Sequence, residues 1–558
     1  MTHPTPTTEG SSNPKPFLPP VFSILAAFPD YDRANRFYAS GRYEAAIACY
    51  SKAVQVKPDW EQAWLKLGKV LQKLQRYSEA VAAYERAIAI QPQDYWAWTG
   101  YGMALCNLRR HEEAIAAFDK AIALKPGKYE AWYHKGLALE ELQQYEAAAT
   151  AYQQAAAIKP KLPTLWSRQG HVLLQGQRYG EAVAAYERLV KFQPANGEAW
   201  FNRGVALTQD RRYAEAVASF DRAIQLIPTN YQAWFNRGIA LEKLHRYAEA
   251  VVCYDKVLEW QPDDCEAWFY KGMALQHQWQ EAAISCFNRA LKINPNFAEV
   301  WISRGQVLVE TGKYEAAIAS FDRATQINPN FASAWLGRGL ALAGLGRYKE
   351  AIIAYSNALQ VKPDFLDAWN CRGEALQQLH RDEEAIACFD KVIALTSQAD
   401  ISTKVGMQRS AALERLERYE EAIVACDRVI QIAPDHFEAW LKRGELLEKI
   451  ERYAEALIAY SQALIVWPDN YQVWMQQGRT LGKMERYSDA IAAYDKSIQL
   501  KPDHCEAWLK RGDILQKLQR YQDAISSYGV ALELQPDYYE AMVSREELKL
   551  KGAMTGKW

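Results

Sequence analysis

The chain has 558 residues and a mass of 63.6 kDa, with 66 Lys and Arg residues against 67 Asp and Glu residues. The net charge of −1 disfavours a protein whose main task is to neutralise a nucleic-acid backbone, because that task needs a basic excess. No apolar run approaches the roughly 18 residues of a membrane-spanning helix. The nine cysteines form no Cys-x-x-Cys pair, which disfavours zinc ribbons, redox motifs and a disulfide framework.

The N-terminal segment, residues 1–29, is predicted as a tail and cap that precede the first repeat. Residues 1–20 are rich in Pro, Thr and Ser and are predicted to be disordered. The short apolar run 21–28 is predicted to cover the exposed face of the first repeat. Residues 1–13 contain no Lys or Arg, so the segment lacks the pattern of a signal peptide. Together with the sparse cysteines, this predicts a cytoplasmic location.

A tandem repeat explains the unusual number of tryptophans. Length alone favours three or four domains at about 150 residues each, but a period of 34 residues indicates one solenoid instead. Thirteen of the 19 Trp and 14 of the 22 Pro occupy fixed positions in this repeat. The Trp-x-x-x-Gly pairs are Trp64/Gly68, Trp98/Gly102, Trp132/Gly136, Trp166/Gly170, Trp200/Gly204, Trp234/Gly238, Trp268/Gly272, Trp301/Gly305, Trp335/Gly339, Trp369/Gly373, Trp440/Gly444, Trp474/Gly478 and Trp508/Gly512.

The unit at residues 61–94 shows two amphipathic helices. Trp64, Gly68 and Leu71 share one face of the first helix, and a second helix with the same spacing follows. Pro92 ends the second helix, because proline cannot donate a backbone hydrogen bond. A glycine inside a helix costs about 1 kcal/mol relative to alanine. Its recurrence therefore predicts close approach of the paired helix, with Trp filling the gap between neighbouring units.

The repeat divides the array into eleven units before residue 400 and four after it, at 403–538, followed by a predicted capping helix at 539–551. The first block, residues 30–399, comprises units 30–60, 61–94, 95–128, 129–162, 163–196, 197–230, 231–264, 265–297, 298–331, 332–365 and 366–399.

Two places break the period. Unit 265–297 lacks one residue between its helices, and three additional residues lie near position 400. There Ser397, Gly406 and Ser410 stand where Pro, Trp and Gly are expected. Residues 397–404 are predicted to form a lengthened junction centred on 400–402. The alternative is a decayed repeat without a role of its own.

The pattern resembles the tetratricopeptide repeat (TPR) family, especially long bacterial and cyanobacterial arrays. The resemblance rests on small residues at positions 8, 20 and 27, aromatic residues at positions 4 and 24, and Pro at position 32, in fifteen units. It implies an all-α, right-handed superhelical solenoid of helix-turn-helix repeats. It also implies that the first helix of each unit lines a concave wall.

No catalytic or cofactor-binding pattern is present in the sequence. It contains no phosphate-binding Gly-x-x-x-x-Gly-Lys and no His-Glu-x-x-His. Cys49, Cys253, Cys286 and Cys388 share one repeat position and are interpreted as small packing residues rather than nucleophiles. The sequence predicts no enzyme activity, no cofactor and no metal site.

Ligands of the family contact outward positions of the first helices, so the resemblance implies a partner site on the concave wall. Between residues 197 and 340 these positions are apolar and aromatic. The phenylalanines are predicted to form a ladder for partner side chains, and the asparagines to bond a partner backbone. The alternative is that the phenylalanines only pack between first helices. The predicted site is Phe201, Asn202, Phe235, Asn236, Phe269, Tyr270, Met273, Ile302 and Leu336.

Charged residues also recur at fixed positions. Arg precedes the repeat Gly, as in Arg203 and Arg237, and an acid recurs in the second helix, as in Glu187 and Asp221. This pattern predicts a ladder of ion pairs between helices. Position 5 carries no Lys, so the family's carboxylate clamp for chaperone C-termini lacks support.

These observations favour a protein-interaction scaffold or assembly factor that binds an extended peptide or helix in the groove. One alternative is an RNA-binding helical-repeat protein in which Phe and Asn contact bases. Another is a regulatory subunit that recruits a separate enzyme.

Overall fold

The computed structural model describes the backbone of residues 20–555 and the side chains of residues 27–551. In this part of the chain all regular structure is α-helical, in 31 helices. The expected disorder of residues 1–19 lies outside the described residues. Helix α1 begins at Pro20, so the predicted covering segment 21–28 continues directly into the first helix of the first unit.

The chain forms two compact units, residues 1–275 and 276–558. The described helices of the first are α1 (Pro20–Ala39), α2 (Tyr43–Val56), α3 (Glu61–Lys73), α4 (Tyr77–Ile90), α5 (Tyr95–Asn107), α6 (His111–Leu124), α7 (Tyr129–Glu141), α8 (Tyr145–Ile158), α9 (Pro163–Gln175), α10 (Tyr179–Phe192), α11 (Gly197–Gln209), α12 (Tyr213–Leu226), α13 (Tyr231–Lys243), α14 (Tyr247–Trp260) and α15 (Cys265–Leu275).

The second compact unit continues the same alternation of helices. Its helices are α16 (Gln280–Ile293), α17 (Ala298–Glu310), α18 (Tyr314–Ile327), α19 (Ala332–Gly344), α20 (Tyr348–Val361), α21 (Leu366–Gln378), α22 (Asp382–Leu395), α23 (Ala399–Arg415), α24 (Tyr419–Ile432), α25 (Phe437–Lys449), α26 (Tyr453–Val466), α27 (Tyr471–Lys483), α28 (Tyr487–Leu500), α29 (Cys505–Lys517), α30 (Tyr521–Leu534) and α31 (Tyr539–Thr555).

Twelve of the thirteen repeat glycines face an aromatic ring from the second helix of their own unit. A Cβ atom added to Gly68 would lie 2.8 Å from Tyr84, and one added to Gly444 would lie 2.4 Å from Tyr460. Real Cβ contacts are essentially never this short. The close approach predicted for the paired helix backbone is therefore made by this ring, which is buried between the helices.

The repeat tryptophans bind the turn that joins one unit to the next. The indole Nε1 of Trp64 donates to the backbone oxygen of Pro58 at 2.9 Å. Thirteen such bonds, each from Trp to the Pro six residues earlier, span 2.8–3.3 Å. The tryptophan thus fills space between units, as predicted, and also satisfies a backbone carbonyl in the turn that follows the second helix.

The predicted ladder of ion pairs is confirmed at Arg203, Arg237, Arg338, Arg443 and Arg511, whereas Arg304 donates to Asn288 instead. Arg237 Nε lies 2.7 Å from Asp221 Oδ1, and Arg203 Nη2 lies 2.9 Å from Glu187 Oε1. In each pair the acid belongs to the second helix of the preceding unit. Arg203 also donates to Ser219 Oγ in its own unit at 2.5 Å, so one guanidinium connects two successive units.

The segment near residue 400 is mostly helical. Only residues 396–398 separate α22 from α23, and α23 has 17 residues where most first helices have 13. The predicted junction residues 400–402 therefore lie in the first turn of a lengthened helix. No Pro or Gly interrupts residues 396–404, and Asp400 suits the helix N-terminus.

Small side chains replace both partners of the Gly–ring contact in this unit. Ser410 stands at the glycine position, and Cys426 stands at the ring position. Ser410 Oγ lies 3.2 Å from Cys426 Sγ and donates to the Ala422 carbonyl at 3.1 Å. The loss of the glycine is thus matched by the loss of the ring that requires it.

The C-terminal helix α31 begins at Tyr539, where the capping helix is predicted. Its Ala541 and Leu548 are buried in an apolar cluster with Tyr528 and Leu515 of the last repeat. This helix covers the apolar face that the last repeat would otherwise expose.

Candidate functional site

Most of the predicted partner site lies on three successive first helices of the first compact unit. Phe201 and Asn202 lie on α11, and Phe235 and Asn236 lie on α13. On α15 lie Phe269, Tyr270 and Met273, and all seven of these side chains are half-buried. Ile302 on α17 and Leu336 on α19 belong to the second compact unit.

The phenylalanines pack on the core and keep part of their surface accessible. The ring centroid of Phe201 lies 6.0 Å from that of Phe220. Phe235 lies 5.8 Å from Tyr254 and 5.3 Å from Tyr270, the latter edge to face. These rings can therefore pack inside the repeat and still contact a partner. We call Phe201, Phe235, Phe269 and Tyr270 the aromatic wall.

Two predicted contacts differ from the expectation. Ile302 is only 8% exposed, so it is not an available contact residue. Asn236 Nδ2 donates to the Gln232 carbonyl of its own helix at 2.9 Å, which occupies one of its two donor hydrogens. Leu336 is half-buried against the apolar cluster of its own compact unit.

Position 12 of the first helix, counted among the ligand-facing positions of the family, often binds a tyrosine instead. Tyr254 donates its hydroxyl to Glu242 Oε1 at 3.0 Å, and Tyr84 donates to Gln72 Oε1 at 3.0 Å. Burial raises the pKa of Glu242 to about 7, against a smaller lowering by the Tyr254 hydrogen bond. These position-12 side chains thus accept hydrogen bonds inside the repeat, and sequence spacing did not reveal it.

Replacing Glu242 by glutamine is expected to stabilise the protein at pH 8 and to change little at pH 4. The unfolded chain releases this proton near pH 4.5, whereas the folded chain holds it until about pH 7. Stability is therefore lost as the pH rises from about 4.5 to 7, and a neutral amide avoids that loss. Gln72 shows that an amide accepts the same tyrosine bond. Thermal melts at both pH values test this; a melting difference independent of pH would contradict it.

The structure adds a cavity that sequence reasoning missed. It has a volume of about 470 Å³ and lies on α3, α5 and α7 of the first compact unit. Trp96 and Gly100 border it, and both depart from the repeat pattern, as a second Trp and a second Gly in the first helix of unit 95–128. These departures are the signal that could have identified it.

Residues 27–551 contain no group of three or more His, Cys, Asp or Glu side chains placed to hold a metal ion. Among the described helices, none is both long and apolar enough to cross a membrane.

Solved structures with similar helical repeats have low sequence identity to this chain. Naa15/Naa10 bound to HypK-THB matches with 12% identity and a TM-score of 0.37, over 95% of this chain and 96% of that chain. YrrB, described as a TPR protein with an unusual peptide-binding site, matches with 21% identity and a TM-score of 0.30, over 33% and 95%. MamA from Desulfovibrio magneticus RS-1 matches with 20% identity and a TM-score of 0.30, over 30% and 96%.

Family profiles cover most of the array. No curated protein matches the chain. The profile described as tetratricopeptide repeat matches residues 99–163, 167–231, 280–330, 302–364, 336–400, 409–471 and 475–539, and two related profiles match 34–75, 61–94 and 231–264. The chain therefore belongs to the tetratricopeptide repeat family, and its architecture is that of a protein-interaction scaffold.

Proposed function

We propose that this chain binds segments of partner proteins, extended or helical, along the first-helix surface of residues 197–275. The observation that carries the proposal is the aromatic wall, whose rings lie on three successive first helices and are only partly buried. Aromatic side chains of this kind contribute most of the binding energy in protein interfaces. Asn202, Asn236 and Met273 border the wall. Leu336 is proposed as a separate contact in the second compact unit.

RNA binding is the alternative from another class of function. The ion-pair ladder disfavours it, because Arg203 and Arg237 already have carboxylate partners at 2.9 and 2.7 Å and are not free for phosphates. The net charge of −1 gives no compensating basic excess. A regulatory subunit that recruits a separate enzyme would use the same protein-binding surface, and identification of the captured partner distinguishes it from an assembly factor.

Replacing Phe201, Phe235 and Phe269 together by alanine is expected to reduce partner capture from native lysate about tenfold or more, because the anchors of the surface are lost. Captured proteins are identified and quantified by mass spectrometry, and circular dichroism verifies that the variant stays helical.

The matched control replaces Ile353, Val424 and Ile458 by alanine. These are three exposed apolar side chains on second helices, and their loss should leave capture unchanged. Equal capture by the wild type and the phenylalanine variant would place the site elsewhere. Salt-sensitive binding of bulk RNA in place of proteins would favour the alternative function.

A further inference from the structure

The cavity on α3, α5 and α7 has the size and lining of a recognition pocket. Its volume of about 470 Å³ falls within the usual range of about 300–1,000 Å³ for ligand sites. Trp96, Met103 and Tyr84 supply apolar surface, while Lys69 and Lys73 supply positive charge. Trp96 is 41% exposed, so its indole is available to a ligand.

The absence of a side chain at Gly100 opens this pocket. The same repeat position holds Lys66 in the unit before and His134 in the unit after. A Cβ atom at Gly100 would lie 2.5 Å from Tyr84 Cζ and 2.8 Å from its hydroxyl oxygen. A larger residue would therefore displace the tyrosine or fill the space above it.

The positive charge on the α3 wall of the pocket is only partly offset by the protein, because Asp94 and Glu61 attract the Lys69 ammonium from beyond ion-pair distance. Lys66, Lys69 and Lys73 follow one another along a single face of α3. Within the described part of the chain, no carboxylate lies within ion-pair distance of these three ammonium groups. Lys69 Nζ lies 5.5 Å from the centroid of the Trp96 ring, so cation and aromatic surface are adjacent.

The surroundings favour an anion at this wall. Burial, and then the charge of Lys66, lower the pKa of Lys69 against smaller raising effects of Asp94 and Glu61, and a bound carboxylate would add to those raising effects. Glu130 lines the same cavity, and its Oε2 is buried without a hydrogen-bond partner. An acidic group of a ligand is attracted to α3 and repelled by Glu130. The ligand should therefore bind in one orientation, with its acidic group on the α3 side of the pocket.

We propose that this pocket binds an acidic peptide segment of a partner protein, with an Asp or Glu side chain at Lys69 and Lys73 and an adjacent large apolar side chain against Trp96 and Met103. None of these residues belongs to the aromatic wall, so the inference goes beyond the proposed function and does not depend on it.

A displayed library of randomised internal heptapeptides, selected against the full-length chain, tests the proposal. We expect enrichment of sequences that place Asp or Glu beside an aromatic residue, Leu or Met. A variant with Lys69→Glu and Lys73→Glu should lose these sequences at least tenfold, because the charge of the wall is reversed. Lys161→Glu with Lys191→Glu, two exposed lysines outside the cavity, is the control with the same change in net charge.

The other variants separate this site from alternatives. Trp96→Ala should weaken binding of the same peptides, and Gly100→Leu should abolish it. If the Gly100→Leu variant does not fold, the Lys69/Lys73 variant alone provides the test. The triple alanine variant of Phe201, Phe235 and Phe269 should retain them. Identical selection by wild type and the Lys69/Lys73 variant, or absence of acidic-aromatic sequences, would overturn the proposal. Displacement of the selected peptides by poly(U), with tighter binding of poly(U) through the two lysines, would assign the pocket to RNA instead.

Discussion

Replacing Cys426 by tyrosine is expected to destabilise α23 and α24 by about 1–3 kcal/mol, because the added ring meets the side chain of Ser410 in a filled core. Where a ring occupies this position, as Tyr460 does, the facing residue is a glycine, and a Cβ atom there would lie 2.4 Å from the ring. Ser410 already carries the Cβ and a hydroxyl bonded to Ala422. A tyrosine ring at position 426 and the side chain of Ser410 cannot occupy the same space.

Adding Ser410→Gly to Cys426→Tyr should recover most of this loss, because the pair then has the composition of the other units. Ser410→Gly alone should cost about 0.5–1 kcal/mol through helix propensity. A double-mutant cycle of the two substitutions should therefore give a large favourable coupling free energy.

Hydrogen exchange of amides in α23 and α24 measures this coupling free energy locally, since a long repeat array does not unfold in two states. Cys426→Ala is the control that removes the Sγ contact without adding volume. Additive effects of the two substitutions would show that serine and ring can coexist.

The sequence was sufficient to predict the helix pairs, because each pair repeats the same apolar spacing and the same proline stop. The sequence did not predict which atoms the repeated spacing brings together. Trp64 and Pro58 are six residues apart and look like independent markers, yet the indole of one binds the carbonyl of the other. Gly68 indicates a close approach, but only the coordinates show that Tyr84 makes it.

The candidate site was less predictable than the fold, because position in a repeat does not determine exposure. Ile302 and Phe201 occupy the same repeat position, yet Ile302 is buried and Phe201 is half-exposed. Glu242 appears in sequence to be a wall residue, but its carboxyl accepts the hydroxyl of Tyr254. Gly100 contributes to the cavity by lacking a side chain, which a search for chemically active residue types does not detect.

Limited proteolysis is expected to cut the structured array first within residues 396–402, which would divide it into eleven repeats and four. Elsewhere the turn between units is held by the bond from Trp to the Pro carbonyl, whereas Ser397 and Gly406 remove both residues from this turn. Residues 397–400 are also exposed. In a one-dimensional array the least supported interface opens first, so a large and a small resistant fragment should appear. Trimming of residues 1–19 is a separate event and does not bear on the result.

The variant Trp440→Gly is the matched test of this cause, because it removes the 2.9 Å bond from Trp440 Nε1 to the Pro434 carbonyl at the next turn between units along the chain. It should add a second early cut at 433–436, detected by mass spectrometry of the fragments. The competing boundary lies at 276–279, where the second compact unit begins with a turn before α16. A first cut there, or resistance of the whole array, would contradict the division near residue 400. In the latter case contacts along the helix pair α22 and α23, such as the 2.5 Å ion pair of Arg415 with the buried Asp382, hold these two units together without the tryptophan.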